Sequence, residues 1–437
     1  MVQAALLLGC SGAPSEMPAE DAPKIQPLSL PTAPDADPDP NVVAVSLIAA
    51  PADLELVPGL TTRVKAYSGT LPGPLIVAKR GDRLKVRLEN QLTEPTTLHF
   101  HGVRLPNAMD GVPDMTQPAV APGGTFDYAF ELPDAGLYWY HPHADTLNEM
   151  GGGLYGAILV RDPAEPPELG DETVLVLSDI GLDAQGSVMP PATTPDAIIA
   201  GSEGNVVLVN GQVHPTLRVE KGRRQRFRVL NAARARYFRL SVAGHSFTQI
   251  GSDGGALEMP VTVAEPVIVP GERLDLLLDL EADAGPVELV SQPISRGLPL
   301  PESPEQALVH LEVTANGAAP SPPLPALSRA ITPFATAGAA SVPIALTVDE
   351  STSAVVMGIN GVPGDEADPI HATVGSTQVL VVQNSSPYAH PFHLHGFFFQ
   401  PLDSAGNPVH PLAFKDTIDI PPVTLQKLAV FYDDRPG

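Results

Sequence analysis

The sequence is poor in cysteine and in positive charge, and it lacks long apolar runs. Its one cysteine, Cys10, stands too far from any folded core to be a dependable metal ligand. The 25 Lys and Arg against 50 Asp and Glu give a net charge of −25, which repels nucleic acid and anionic membrane. Cationic or neutral small molecules suit such a surface, and the same charge keeps a protein in solution. No apolar stretch approaches the roughly 18 to 20 residues needed to span a bilayer. The chain is therefore expected to be soluble or anchored from one end.

With 437 residues, 43% of them hydrophobic, the chain has material for two to four domains with substantial cores. The 50 prolines and 38 glycines punctuate short runs of Val, Leu and Ile, as in many short strands joined by turns. The expected class is all-β. At the start, "ALLLGCSGAPS" resembles the lipobox of bacterial lipoprotein signal peptides. Cleavage and acylation at Cys10 would tether a periplasmic or outer-surface protein, although the apolar run is short and no basic residue precedes it. The competing reading is an incidental thiol in a tail. Residues 11–40, rich in Pro, Ala and acid, read as a spacer.

One pattern is written three times. Gly81, Gly222 and Gly375 each stand nine residues before an asparagine (Asn90, Asn231, Asn384), with alternating apolar residues between. Each copy reads as a turn feeding a strand buried on one face. The copies lie 141 and 153 residues apart, the size of a β-sandwich. Three domains follow, at 41–163, 168–315 and 341–437, with residues 1–40 ahead of them and a Pro/Ala-rich linker at 316–340.

Nine residues beyond Asn90 and Asn384 stand His99 and His393, each opening a His-x-His-Gly (His99, His101; His393, His395). The same step from Asn231 reaches Leu240 and then Val242. The middle copy keeps the strand without the imidazoles, so the outer copies use them for something other than packing. Residues i and i+2 of a strand share a face, roughly 6.6 Å apart, which suits two ions side by side better than one. Neutral imidazole serves copper, zinc, iron and nickel alike. With "WYHPH" (His141, His143) and His390 of "HPFHLHG", seven of the twelve histidines fall in these motifs, and metal binding is the expected function. His214, His245, His310, His371 and His410 belong to no motif and read as surface or structural.

At these residues the chain resembles the multicopper oxidases, the family of laccases, ascorbate oxidases, bilirubin oxidases and bacterial copper-tolerance oxidases. The resemblance runs from about residue 43 to the end through "TLHFHGVRLPNAMDGVPDMTQPAVAPG", "GLYWYHPH", "GLYGAILV", "LVNGQ", "DGG", "VPGERLDLLLD" and "HPFHLHGFFFQ". It implies three tandem cupredoxin-like Greek-key sandwiches with a trinuclear copper cluster between the first and last. By motif, His99 and His393 would hold the type 2 copper. His101 with His141, and His143 with His395, would serve the two type 3 coppers, and His390 would belong to the type 1 copper. Asp110, in "MDG", matches an acidic residue that helps move protons near the type 2 site; its plainer reading is a turn Asp before Gly111. The implied reaction takes single electrons from a phenol, aromatic amine or metal ion and reduces O₂ to water. The eight methionines are scattered, unlike the Met-rich insert by which some copper-tolerance oxidases collect Cu(I).

The internal repeat also raises an expectation about the end of the chain. Gly437 falls where Gly136 does in the first copy, just ahead of the position of "LYWYHPH". A tryptophan-containing strand is then due next, and the family's His-Cys-His with it. On that reading the third sandwich is incomplete, and residues 1–437 bind copper but lack the type 1 thiolate and its electron path. Two rivals stand beside the oxidase: a non-catalytic copper-binding or structural envelope protein, and a two-domain copper reductase of nitrite type, which the ligand-free middle copy disfavours.

Overall fold

The computed structural model describes residues 28–192, 194–280, 285–297, 300–314, 321–349, 355–363, 367–433 and 435; Cys10 lies outside them. The chain is built of β-strands with a few short helices. In the first part, Leu60–Tyr67, Val42–Val57, Arg83–Asn90 and Thr125–Glu131 form one sheet. It faces a second sheet ordered Gly73–Lys79, Gly156–Arg161, Gly136–His141, His99–His101. Alternate residues of both, among them Leu47, Val86, Phe100, Phe130 and Ile158, close the core between them. The middle part repeats the plan with six strands against five. In the third part a six-stranded sheet faces the pair His390–His393 and Thr417–Ile420.

The threefold sequence pattern is a threefold structural device. Gly81, Gly222 and Gly375 have φ of +93°, +73° and +77°, a region that side chains rarely adopt, so glycine makes the turn into the strand at little cost. The strands that follow, Arg83–Asn90, Arg224–Asn231 and Thr377–Asn384, each run parallel to the opening strand of their own part. Each also runs antiparallel to a later strand. The buried asparagine at the end then ties down the loop beyond. Asn90 Nδ2 donates to the carbonyls of Glu94 and Val120 while its Oδ1 accepts the Leu92 N–H. Asn231 does the same with Arg236, Ile268 and Ala233. Asn384 does so with Tyr388, Ile420 and Ser386. Three hydrogen bonds made by one buried amide fix where the next strand begins, and in the outer two copies that strand carries histidines.

The parts are not beads on a string. A further apolar cluster joins Leu137, Trp139 and Tyr155 of the first to Val176, Leu208 and Leu230 of the middle. The tail of the segment read as a spacer is docked: Leu28 enters the middle core and Ala33 the first. In the described part of the linker, residues 321–336 form neither helix nor strand, and Leu324 and Leu327 pack on Leu169, Ile250 and Leu277. In the middle part, Leu240 and Val242 are core residues, which is why leucine and valine stand where the outer copies have histidine.

Replacing Asn231 by Ala is expected to destabilise the protein by about 2–4 kcal/mol, because two buried carbonyls and one N–H lose their partner. Chemical denaturation measures this, and a loss below ~0.5 kcal/mol would contradict the role given to the repeat asparagine.

Candidate metal centre

His99–His101 is a three-residue strand paired with Gly136–His141, with His99 opposite His141 and His101 opposite Trp139. Phe100 points into the core, so His99 and His101 share the other face, as the i, i+2 rule requires. Their ring centroids are 5.8 Å apart. Glycine follows because Gly102, at φ +83°, lies against the Arg273 guanidinium and the Asp416 carboxylate, with which a Cβ would collide.

On the third part, His393 opposes Thr417 across the strand pair. His395 lies just beyond, and the two approach the first part's histidines. His395 stacks on His99 at 4.1 Å and His393 on His101 at 3.6 Å between centroids. His143 lies 5.2 Å from His395 and 5.7 Å from His99. Six of the seven expected ligands are thus brought into one site. Candidate ligand atoms of His99, His393 and His395 lie within 4.8 Å of one another, as do those of His99, His101 and His141, and of His101, His393 and Asp416. His390 is not among them. Three residues before His393 on the same strand, it falls on the other face, where its Nε2 meets Ser386 Oγ at 3.0 Å and its ring sits edge-on to Tyr388. Of the histidines without a motif, His214 and His310 both bond Glu288, and His410 bonds Glu258.

The far nitrogens are held by the protein. His99 Nδ1–H donates to the Asp110 carbonyl at 2.8 Å, His393 Nδ1–H to the Asp416 carbonyl at 2.9 Å, and His141 Nδ1–H to the Pro142 carbonyl at 2.9 Å. His395 Nδ1–H donates to Asp110 Oδ2 at 2.8 Å. In each, Nε2 keeps its lone pair. His99 Nε2 and His393 Nε2 are buried without a hydrogen-bond partner, a costly state for a polar atom unless something else binds it. His101 is the reverse: its Nε2–H faces Asp416 Oδ1 at 3.2 Å and Thr417 Oγ1 at 3.0 Å, leaving Nδ1 free. Orphaned imidazole lone pairs converging from two parts of the chain, each ring oriented through its other nitrogen, are the donor set of a transition-metal site.

Burial governs the charge states. It pushes His99 down to about 4, with His395 and His393 acting the same way. Burial, then His393 for one and His99 for the other, holds His101 and His141 well below the ordinary imidazole value. His143 and His393 are lowered too, chiefly by burial. Burial opposes ionisation of Asp110, but His99 and His395 hold its carboxyl well below the usual range. His99, His101, His141, His143 and His393 are therefore neutral imidazoles beside an ionised Asp110 carboxylate. Asp110 sits there because a short 3₁₀ turn, Asn107–Met109, delivers it and Gly111 leaves it at φ +78°, where a Cβ would strike the Leu98 carbonyl.

The sequence reading passed over Arg273, Asp416 and Thr417. Arg273 is 1% exposed and all five of its N–H groups are used. They go to the carbonyls of Leu137, Gly271 and Asp253 and to both Asp416 oxygens, the last two at 2.7 and 2.5 Å. The available signal was phase: Leu274, Leu276 and Leu278 fill the middle core, so Arg273 lies on the sheet's other face, toward the first part.

Three β-sandwich parts with a histidine cluster between the outer two define a protein of the cupredoxin class with a candidate transition-metal site. Sequence models of the family described as multicopper oxidase match residues 51–165, 172–286 and 339–437. The chain belongs to the multicopper oxidase family, and copper is the metal that membership implies for these histidines. It is 31% identical to multicopper oxidase MmcO of Mycobacterium tuberculosis, over 91% of this chain and 83% of that one. It is 29% identical to a laccase of Bacillus subtilis, over 78% and 75%. Among solved structures, a multicopper oxidase from Campylobacter jejuni described as a metallo-oxidase superposes with a TM-score of 0.82, at 26% identity and covering 96% and 93% of the two chains.

The buried imidazoles imply a pH dependence. Their pKa values are lower in the folded than in the unfolded chain, so between the two the unfolded state binds more protons. The stability that the neutral cluster contributes is present above the unfolded value of 6.5 and is lost as pH falls toward about 4, the folded value of His99. The melting temperature of the metal-free protein should fall steadily across that window, and His99→Gln should flatten the slope. A profile level from pH 7 to 4 by calorimetry would contradict neutral burial.

Proposed function

We propose that the chain forms the body of an exported, laccase-like copper oxidase. The observation that supports this best is the pair of unpartnered Nε2 atoms on His99 and His393, one from each outer sandwich. On this reading the three sandwiches span 41–163, 168–315 and 341–437. His99 and His393 hold the type 2 copper. His101 with His141, and His143 with His395, hold the type 3 pair, and His390 serves the type 1 copper on the opposite face of its strand.

When bound there, copper supplies one-electron chemistry: four electrons taken singly from a phenol, aromatic amine or metal ion reduce O₂ with four protons to two waters. The chain's own part is to hold and to exclude. The buried imidazoles are themselves neutral before a cation binds, so no proton on a ligand nitrogen has to leave first. Asp110 anchors His99 through its carbonyl and His395 through Oδ2, and its buried Oδ1 lies 3.2 Å from His99 Nδ1. The resemblance gives this residue a part in moving protons, and as a carboxylate held ionised by His99 and His395 it would pass a proton on and not store it. The surplus of acidic residues favours cationic substrates at the surface. Periplasmic or outer-surface placement, with a lipid tether at Cys10, completes the proposal. Among the described residues no helix is long and apolar enough to cross a membrane.

A second reading rests on one observation: the single cysteine of residues 1–437 is Cys10, 380 residues before His390 in the chain. For these residues we therefore expect copper binding without the intense blue absorption of a copper thiolate and with negligible dye oxidation. Metal analysis of purified residues 1–437 loaded with Cu(II) should find bound copper, and His99→Ala with His393→Ala should remove most of it. Copper content unchanged in that double variant would sink the site assignment. Laccase-like turnover of a phenolic dye would sink the expectation of inactivity.

A further inference from the structure

We propose that Asp416 is a positioning residue for the copper centre, locked in place by Arg273 of the middle sandwich; this rests on the copper reading above. The ground is a reciprocity between two aspartates. Asp110 takes the first histidine of its own part through its backbone carbonyl and the second histidine of the other part through its carboxylate: His99 at 2.8 Å and His395 at 2.8 Å. Asp416 does the same in reverse, taking His393 through its carbonyl at 2.9 Å and His101 through Oδ1 at 3.2 Å. Each aspartate thus orients one ring from each outer sandwich, and four of the six clustered histidines hang on the two.

The two aspartates differ in what surrounds them. Asp110 has one buried oxygen, Oδ1, without an aligned donor, since His99 Nδ1 lies 3.2 Å from it with its hydrogen on the carbonyl. Asp416 has none: Arg273 grips both oxygens and Thr417 Oγ1–H donates to Oδ1 at 2.8 Å. Having given its hydrogen to Asp416, Thr417 Oγ1 can only accept from His101 Nε2–H at 3.0 Å and His393 Nδ1–H at 3.3 Å. Below, Asp253 Oδ2 accepts the backbone N–H groups of Asp416 and Thr417 while its Oδ1 accepts that of Arg273. Asp416 is therefore a fixed acceptor. It commits His101 to the tautomer with hydrogen on Nε2 and a free Nδ1, the reverse of His99, His141, His393 and His395. The middle sandwich, with no histidine at the centre, takes part in metal binding through this clamp.

The test reads the tautomer in the metal-free protein and the copper affinity separately. Residues 1–437 labelled with ¹⁵N-histidine give long-range ¹⁵N–¹H spectra in which His101, assigned by its loss in His101→Gln, should carry hydrogen on Nε2. In Asp416→Ala that signal should move toward the Nδ1–H form or average between the two, and Cu(II) affinity should drop about 10- to 100-fold, as when the orienting partner of a ligand is removed. Asp416→Asn, which still offers an acceptor oxygen, should recover part of both effects. Since Asp416→Ala leaves the buried Arg273 with only the more distant Asp253 carboxylate, 3.6 Å away, the doubly neutral Arg273→Gln, Asp416→Asn is measured beside it and should show a broadened His101 signal and weakened copper binding with the fold intact. An unchanged His101 tautomer together with affinity within threefold of wild type, in whichever variant folds, overturns the positioning role. A tautomer shift in the variants with no copper bound by wild type overturns the copper reading and upholds the orientation of His101 by Asp416.

Discussion

The ion pair between Arg273 and Asp416 is the contact on which the arrangement of the parts turns. It is fully buried, and its atoms reach all three sandwiches: Leu137 and His101 of the first, Asp253 and Gly271 of the middle, Thr417 and His393 of the third. A buried ion pair is a poor source of stability in itself, since desolvation offsets much of the attraction. Its value lies in what it forbids. Removing one partner strands a charge in the interior at a cost of ~3–5 kcal/mol, so the sandwiches are held to the one packing in which guanidinium and carboxylate meet. That packing is also the one in which the outer histidines meet.

Lys415 extends the same logic. Its ammonium lies 3.2 Å from Asp253 and 2.7 Å from Glu272, and those carboxylates raise its pKa against the burial that would lower it. Two adjacent residues of the third part, Lys415 and Asp416, thus plug opposite charges into the middle one. Tyr237, also from the middle part, donates to Asp419 at 2.8 Å further along the same stretch. The histidines are then free to remain neutral and incompletely bonded, because the energy that fixes their place comes from elsewhere.

Much of the site was legible because it is local. Two imidazoles two residues apart on a strand must share a face, and the comparison of three copies showed which positions the fold could fill with leucine and valine instead. His390 was legible as a member of the motif and, being three residues from His393, as a residue of the opposite face. Asp110 was legible only as a candidate; that it serves two histidines, one of them 285 residues away in the chain, depended on the packing.

The sequence by itself determined the class and the threefold repeat and marked the His-x-His pairs, since strand periodicity and turn chemistry act over a few residues; that six of those imidazoles belong to one centre was implied there by the family resemblance. The tertiary structure alone decided which nitrogen His101 and His395 keep free, and it brought Arg273 onto Asp416. Their partners Asp416 and Asp110 lie 315 and 285 residues away in the chain, and Arg273 lies 143 residues from Asp416; no local pattern encodes such a meeting.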